Sequence, residues 1–190
     1  MNTLFETQIT HLTWPELEAG LDHIRQSPKD NGLLELIVCR PSVEERKVLE
    51  FGELDVQRGL IGDNWSTRGS SSTVDGGPNP EMQINIMNAR AVALVAQQRE
   101  RWHLAGDQLF LDMDLSKDNL PVGSRFSLGS AILEVTPPPH TGCSKFVARF
   151  GLEAMKFVNS EIGRSLCLRG INAKIVQSGS VEVGQLAKKI

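Results

Sequence analysis

The sequence predicts a mainly β protein of the α+β class, a closed or partly closed β-barrel with peripheral helices. Three observations predict it. Short apolar or alternating runs recur along the chain, each bounded by Gly, Pro, Asn or Ser. Only a few stretches between them carry helical periodicity, and no internal repeat indicates a solenoid. A chain of 190 residues also buries enough surface to fold without a structural metal or disulfide.

Residues 1–30 read as an N-terminal helical extension packed on the barrel, and residues 31–187 as the barrel domain. Thr13 and Glu16 have the spacing of a capping box, and Pro15 suits a first turn. Trp14, Leu17, Leu21 and Ile24 share one helical face, and Ser27-Pro28 and Asn31-Gly32 end the helix. Residues 33–39 form an apolar run suited to a buried strand, stopped by Pro41. A charged segment, 44–53, then leads to Arg58-Gly59-Leu60-Ile61-Gly62-Asp63-Asn64-Trp65.

Residues 66–80 are rich in Gly, Ser and Pro and poor in core formers, hence a loop, either a surface excursion or a lid. Residues 83–87 alternate polar and apolar as a half-buried strand does, and Asn88 is an N-cap for an alanine-rich helix over 89–98. Residues 108–113, 125–128 and 131–135 read as strands, with turns at Gly123-Ser124 and Gly129-Ser130. Pro137-Pro138-Pro139 breaks the last of them. Helical signals return over 144–150 and 152–159, and 171–176 and 181–183 flank Gly179 as a hairpin would.

A net charge of −3 gives no nucleic-acid footprint, and Lys188-Lys189 reads as a solvated end. The N-terminus lacks a basic start followed by an apolar run, so no signal peptide is expected; no stretch approaches the ~18 apolar residues of a membrane span. Cys39, Cys143 and Cys167 include no CxxC pair, which argues against a disulfide framework or structural zinc and for a reducing cytoplasm. No phosphate-binding glycine loop is present, and His11, His23 and His103 form no ligand pattern.

The chemistry concentrates at Pro137-Pro138-Pro139-His140-Thr141-Gly142-Cys143. Cys143 falls at the expected start of a helix, and His140, Lys145 and Arg149 add positive charge nearby. Both features favour the thiolate, a soft metal ligand. From spacing alone, a buried and inert Cys143 is an equal alternative. Cys39 and Cys167 lie among Leu, Ile and Val and read as core.

The chain resembles the MOSC domain, named for the C-terminal domain of molybdenum-cofactor sulfurase. Four stretches carry the resemblance over about residues 31–187. They are 33–40 leading to Gly59-Leu60-Ile61-Gly62-Asp63; 83–87 with its following helix; 106–111 through Gly123 and 129–136 into Gly142-Cys143; and Arg169-Gly170-Ile171 on to Val183-Gly184. The resemblance implies a barrel of MOSC type that binds the molybdenum cofactor, a molybdopterin, with Cys143 as the catalytic cysteine that ligates the metal or carries sulfur for it.

By position it assigns Asp63 and Asn64 to the pocket edge. It makes His140, Thr141, Gly142, Ser144, Lys145 and Arg149 cofactor-binding residues, the cations serving as anion contacts. It implies an oxidoreductase that reduces N-hydroxylated compounds with an external electron-donor protein and a small-molecule substrate, with no nucleic-acid or membrane partner. The alternatives are a non-redox sulfur-carrier or cofactor-binding protein with Cys143 as persulfide carrier, and a catalytically silent barrel with a structural role. Two departures stand out: Gly142 where many members have proline, and Asn64-Trp65 where many have arginine. The pyridoxal-phosphate domain of the larger sulfurases has no counterpart in this sequence.

Overall fold

The structure, a computed structural model, describes residues 10–190. The start of the chain, on which the signal-peptide reading rests, lies outside the described residues.

Thr13 and Glu16 close the expected capping box at the head of α1 (Trp14–Ala19), and α2 (Leu21–Arg25) follows after Gly20. The single helix expected here is therefore two. The break falls at Gly20, the C-cap of α1 and N-cap of α2, where a Cβ would lie 2.6 Å from the Leu94 side chain. Leu17, Leu21 and Ile24 are buried as their shared face requires.

Seven strands close a barrel. In chain order they are β1 (Gly32–Cys39), β5 (Ile84–Asn88), β6 (Leu109–Asp112), β7 (Arg125–Leu128), β8 (Ala131–Val135), β9 (Ile171–Gln177) and β11 (Leu186–Lys189). Around the ring the order is β11-β7-β8-β9-β5-β6-β1, and β1 pairs back to β11. The remaining strands are β2 (Lys47–Leu49), which extends from β1, and β3 (Phe51–Asp55), β4 (Gly59–Leu60) and β10 (Gly179–Glu182), which form a separate three-stranded sheet.

Only β5 and β6 run parallel; helix α3 (Ala89–Ala96) supplies their crossover, capped by the Asn88 side chain on Ala91 N. A bulge between Leu34 and Leu36 resets the pleat of β1. Leu34 and Ile37, an odd number apart, therefore both face the barrel interior, while Leu36 faces the helices.

Barrel and helices enclose two apolar cores. One fills the barrel, with Leu34, Ile37, Phe126 and Leu133 among its members. The other lies between the barrel wall and α3, α4 (Ser144–Phe150) and α5 (Leu152–Asn159), where Phe146, Phe150 and Phe157 meet Val38, Met87 and Phe110. Trp14 packs edge-on against Phe157 at 5.8 Å and ties α1 to α5.

The hairpin expected around Gly179 does not form. β9 pairs with β8 and β5, whereas β10 leaves the barrel to pair with β3. The chain passes so close to the β7–β8 turn that a Cβ on Gly179 would meet the backbone of Ser130 and Ala131 at 2.4 Å. Five chain segments, 40–46, 61–64, 104–107, 136–142 and 168–170, are drawn together through their side chains: Arg40 reaches Asp63 and Gly106, Arg169 reaches Ala105 and Asp107, and His140 faces Asp107.

Candidate functional site

The proline run delivers the chain to Gly142, and α5 holds it there. Gly142 N donates to Asn159 Oδ1 at 2.9 Å, and Asn159 Nδ2 returns a bond to Gly142 O at 3.0 Å. Cys143 follows as the N-cap of α4, in extended conformation, with its sulfur exposed. It makes no side-chain cap hydrogen bond. Partial burial pushes its thiol up, but the N–H dipoles of Phe146 and Lys145 and the charges of Arg169 and Arg149 outweigh that and hold it below the ordinary thiol range. Burial raises both Cys39 and Cys167.

Beside Cys143 a short strap, Leu104 to Asp107, collects arginines from distant parts of the chain. Arg149 Nη1 donates to Leu104 O at 2.8 Å, Arg169 Nη2 to Ala105 O at 3.0 Å, and Arg40 Nη1 to Gly106 O at 3.0 Å. Gly106 is left-handed (φ 88°), and a Cβ there would lie 3.5 Å from Arg46 Nη2 and 3.7 Å from Arg149 Nη1. Arg46 is half-buried, and its Nε has no partner; nor has Nε of the buried Arg169. Burial, then the charges of Arg149 and Arg40, lower the Arg46 pKa, as crowded cations require. The cations Arg40, Arg46, Lys145, Arg149 and Arg169 outnumber the carboxylates Glu44, Asp63 and Asp107.

Each carboxylate has a distinct task. Asp63 is buried and saturated: Oδ2 accepts from Arg40 N and Nε, and Oδ1 from Arg40 Nη2 and Trp65 N. It thus positions Arg40. Asp107 is fully buried and takes Arg169 Nη1 on Oδ2 at 2.7 Å. Its Oδ1 faces His140 Nδ1 at 3.3 Å without a hydrogen bond between them, and neither atom has any hydrogen-bond partner. Burial raises the Asp107 carboxyl against the pull of Arg169; burial, then the charges of Arg169 and Arg40, hold His140 well below its ordinary value, so it is neutral. Glu44, itself left-handed (φ 64°), receives Lys145 Nζ at 2.6 Å and Arg149 Nη2 at 2.5 Å.

The structure therefore brings Cys143, His140, Thr141, Gly142, Ser144, Lys145 and Arg149 together around the start of α4. Lys145 and Arg149 are clasped by Glu44, and Ser144 is exposed. Asp63 lies behind Arg40, and Asn64 beside it has a buried Oδ1 without a partner. Sequence reasoning gave no role to Arg40, Glu44, Arg46, Asp107, Asn159 or Arg169. A signal existed for two of them: Arg40 and Arg169-Gly170 are charged groups abutting apolar strands. Gly170 is needed there (φ 113°), since a Cβ would strike Ile86 O at 2.3 Å and crowd His140. Among the described residues, no cluster of three His, Cys, Asp or Glu side chains is arranged to hold a metal ion, and no helix is long and apolar enough to cross a membrane.

No family model matches the sequence, and no curated protein matches it. Solved structures do share the fold. The YuaD protein from Bacillus subtilis superposes with a TM-score of 0.58 over 83% of this chain and 94% of its own, at 17% identity. YiiM from Escherichia coli gives 0.53 over 83% and 69%, at 17% identity. YiiM from Geobacillus stearothermophilus gives 0.52 over 85% and 74%, at 14% identity. At such identities the likeness is one of fold.

Proposed function

We propose that this chain is a MOSC-domain protein that holds the molybdenum cofactor, with Cys143 as the protein's ligand to the metal. The observation that carries the reading is a thiolate-favouring cysteine set beside a surplus of arginine. The donor set fits the group. The cofactor is anionic, and Arg46 and Arg169 each have a buried Nε without a partner. Gly106 keeps the space between Arg46 and Arg149 free of a side chain. A metal carried by its own pterin sulfurs needs few protein ligands, and a soft thiolate is the expected one.

In this reading Arg46, Arg149 and Lys145 would hold the cofactor's phosphate, with Glu44 as the competing anion for Lys145 and Arg149. The Asp63–Arg40 and Asp107–Arg169 pairs fix the floor, and Asn159 sets the height of Cys143 through Gly142. When bound, the cofactor supplies the redox chemistry, here reduction of an N-hydroxylated compound with electrons from an external donor protein. Three free cysteines suit a reducing cytoplasm.

Elemental and pterin analysis of protein from a molybdenum-replete host tests the proposal. Wild type should contain molybdenum and pterin, and Cys143→Ala should lose the metal while staying folded. Wild type free of both overturns it. The exposure of the Cys143 sulfur also suits the second reading, a sulfur carrier. Persulfide trapped on Cys143 in metal-free protein would favour that one.

A further inference from the structure

A second site adjoins the first. A cavity of about 630 Å³ lies between the Pro137–Thr141 segment, the loop at 117–122, and the turn from α6 (Glu161–Ser165) into β9. It shares His140, Thr141 and Arg169 with the site described above, but Cys143, Arg40, Arg46, Lys145 and Arg149 do not line it. Its size is that of small-molecule pockets.

The walls are mostly apolar: Leu120, Val122, Val135, Val158 and Ile171 together with the three prolines. Its charged lining is entirely cationic, comprising Lys117, Arg164 and Arg169, with no carboxylate. Arg169 is committed to Asp107, whereas Lys117 and Arg164 make no ion pair among the described residues. A cationic ligand would be repelled here. A neutral apolar one would leave both free cations unused, and an inorganic anion could pair with the cations but would leave the proline and valine walls without an apolar partner.

We infer that this cavity binds a small organic anion with an apolar body, an aromatic or branched carboxylate, its charge drawn to Lys117 and Arg164. The prolines form a wall that loses no side-chain entropy on binding. The inference stands on the cavity alone and does not depend on the metal.

The test uses metal-free full-length protein with 2-naphthoate, its neutral analogue 2-naphthalenemethanol, and inorganic phosphate, followed by calorimetry and amide chemical-shift mapping. Naphthoate should bind at one saturable site, at least about tenfold more tightly than the alcohol. Shifts should centre on Leu120, Val122, His140, Thr141 and residues 163–171. Lys117→Gln with Arg164→Gln, both at surface positions, should erase the preference for the acid while leaving the alcohol's affinity unchanged. Phosphate should leave the shifts of this cavity unmoved. Shifts centred instead on Arg46, Lys145 and Arg149, equal affinity for acid and alcohol, or an unchanged preference in a folded double variant would each overturn the inference.

Discussion

Three cysteines of one chain are set apart by what surrounds each sulfur. Cys143 is exposed, with N–H dipoles and arginines favouring its thiolate, while burial raises the other two. Alkylation followed by mass spectrometry across pH should therefore modify Cys143 first, with its midpoint below the ordinary thiol value of about 8.5. Glu44 is the local brake, because its carboxylate neutralises Lys145 and Arg149. Glu44→Gln should move the midpoint lower still, since removing a negative charge favours the thiolate. Earlier modification of Cys39 or Cys167 would contradict this account.

His140 gives a second prediction at the same scale. Its side chain is only 14% exposed, and desolvation chiefly holds it well below its ordinary value; His103 is lowered for the same leading reason. A base whose folded pKa lies below its unfolded one takes up a proton more readily on unfolding. Its neutral form therefore stabilises the fold fully above about pH 6.5, and that stability is lost as pH falls through 6.5 toward the folded pKa. For His140 the loss approaches ~1.4 kcal/mol per pH unit; solvent screening makes the contribution of the more exposed His103 smaller. Urea unfolding at about pH 7.5 and about pH 5.5 should show it. His140→Gln, which offers Asp107 an amide donor and does not titrate there, should flatten the slope. Equal stability of wild type at both pH values would refute the buried neutral histidine.

At the scale of elements, the loop at 66–80 is anchored rather than free-standing. Trp65 is buried, and its Nε1 donates to Asn79 O at 3.1 Å across the base of the loop. Inside it, Thr73 Oγ1 bonds Ser70 O and Gly77 O. Arg68, at its start, is lowered by burial and then by the charge of Arg40, so the loop base borders the arginine cluster. Trp65→Ala should cost about 3–5 kcal/mol, as large-to-small core changes do, and should raise hydrogen exchange over 66–80 specifically. Uniform exchange gains across the chain would mean that Trp65 supports the fold generally.

The elements legible in the sequence were those whose burial repeats locally. β1, α3 and β8 each carry their own apolar or alternating pattern, and Asn88 caps α3 as its residue type predicts. β5 falls where its alternation places it, but it is buried throughout and not on one face only, because Asn85 and Asn88 find partners in Arg40, Asn172, Ser27 and Met113 O. β11 carried none: only Ala187 is buried in it, and the lysines that follow read as a solvated end. Its pairing with β1 and β7 exists only in three dimensions. The site divides the same way. The 140–149 residues were visible because they are contiguous, while Arg40, Glu44 and Asp107 were hidden by separation along the chain.

At the scale of the whole molecule, the site is built from groups that also tie together segments flanking the barrel strands. Arg40 leaves β1 and Asp63 follows β4, and they meet at 2.8 Å with both side chains buried. Isolated buried ion pairs can often be exchanged for apolar residues without loss, because the desolvation penalty disappears with the charges. This pair is not isolated. Arg40 Nη1 also serves Asn85 Oδ1 and Gly106 O, and Asp63 also accepts from Arg40 N and Trp65 N. An apolar replacement would strand those groups in a buried place. Asp63→Asn should therefore cost about 3–5 kcal/mol, as breaking a buried pair does, and Arg40→Met a similar amount. The double variant Arg40→Met with Asp63→Leu should stay destabilised, yet by clearly less than the two single losses added together, since both remove one network. Thermal unfolding of the singles and the double measures the coupling. Full additivity would show that the two residues act independently. Recovery of wild-type stability would show that the ion pair, and not the network around it, carries the cost.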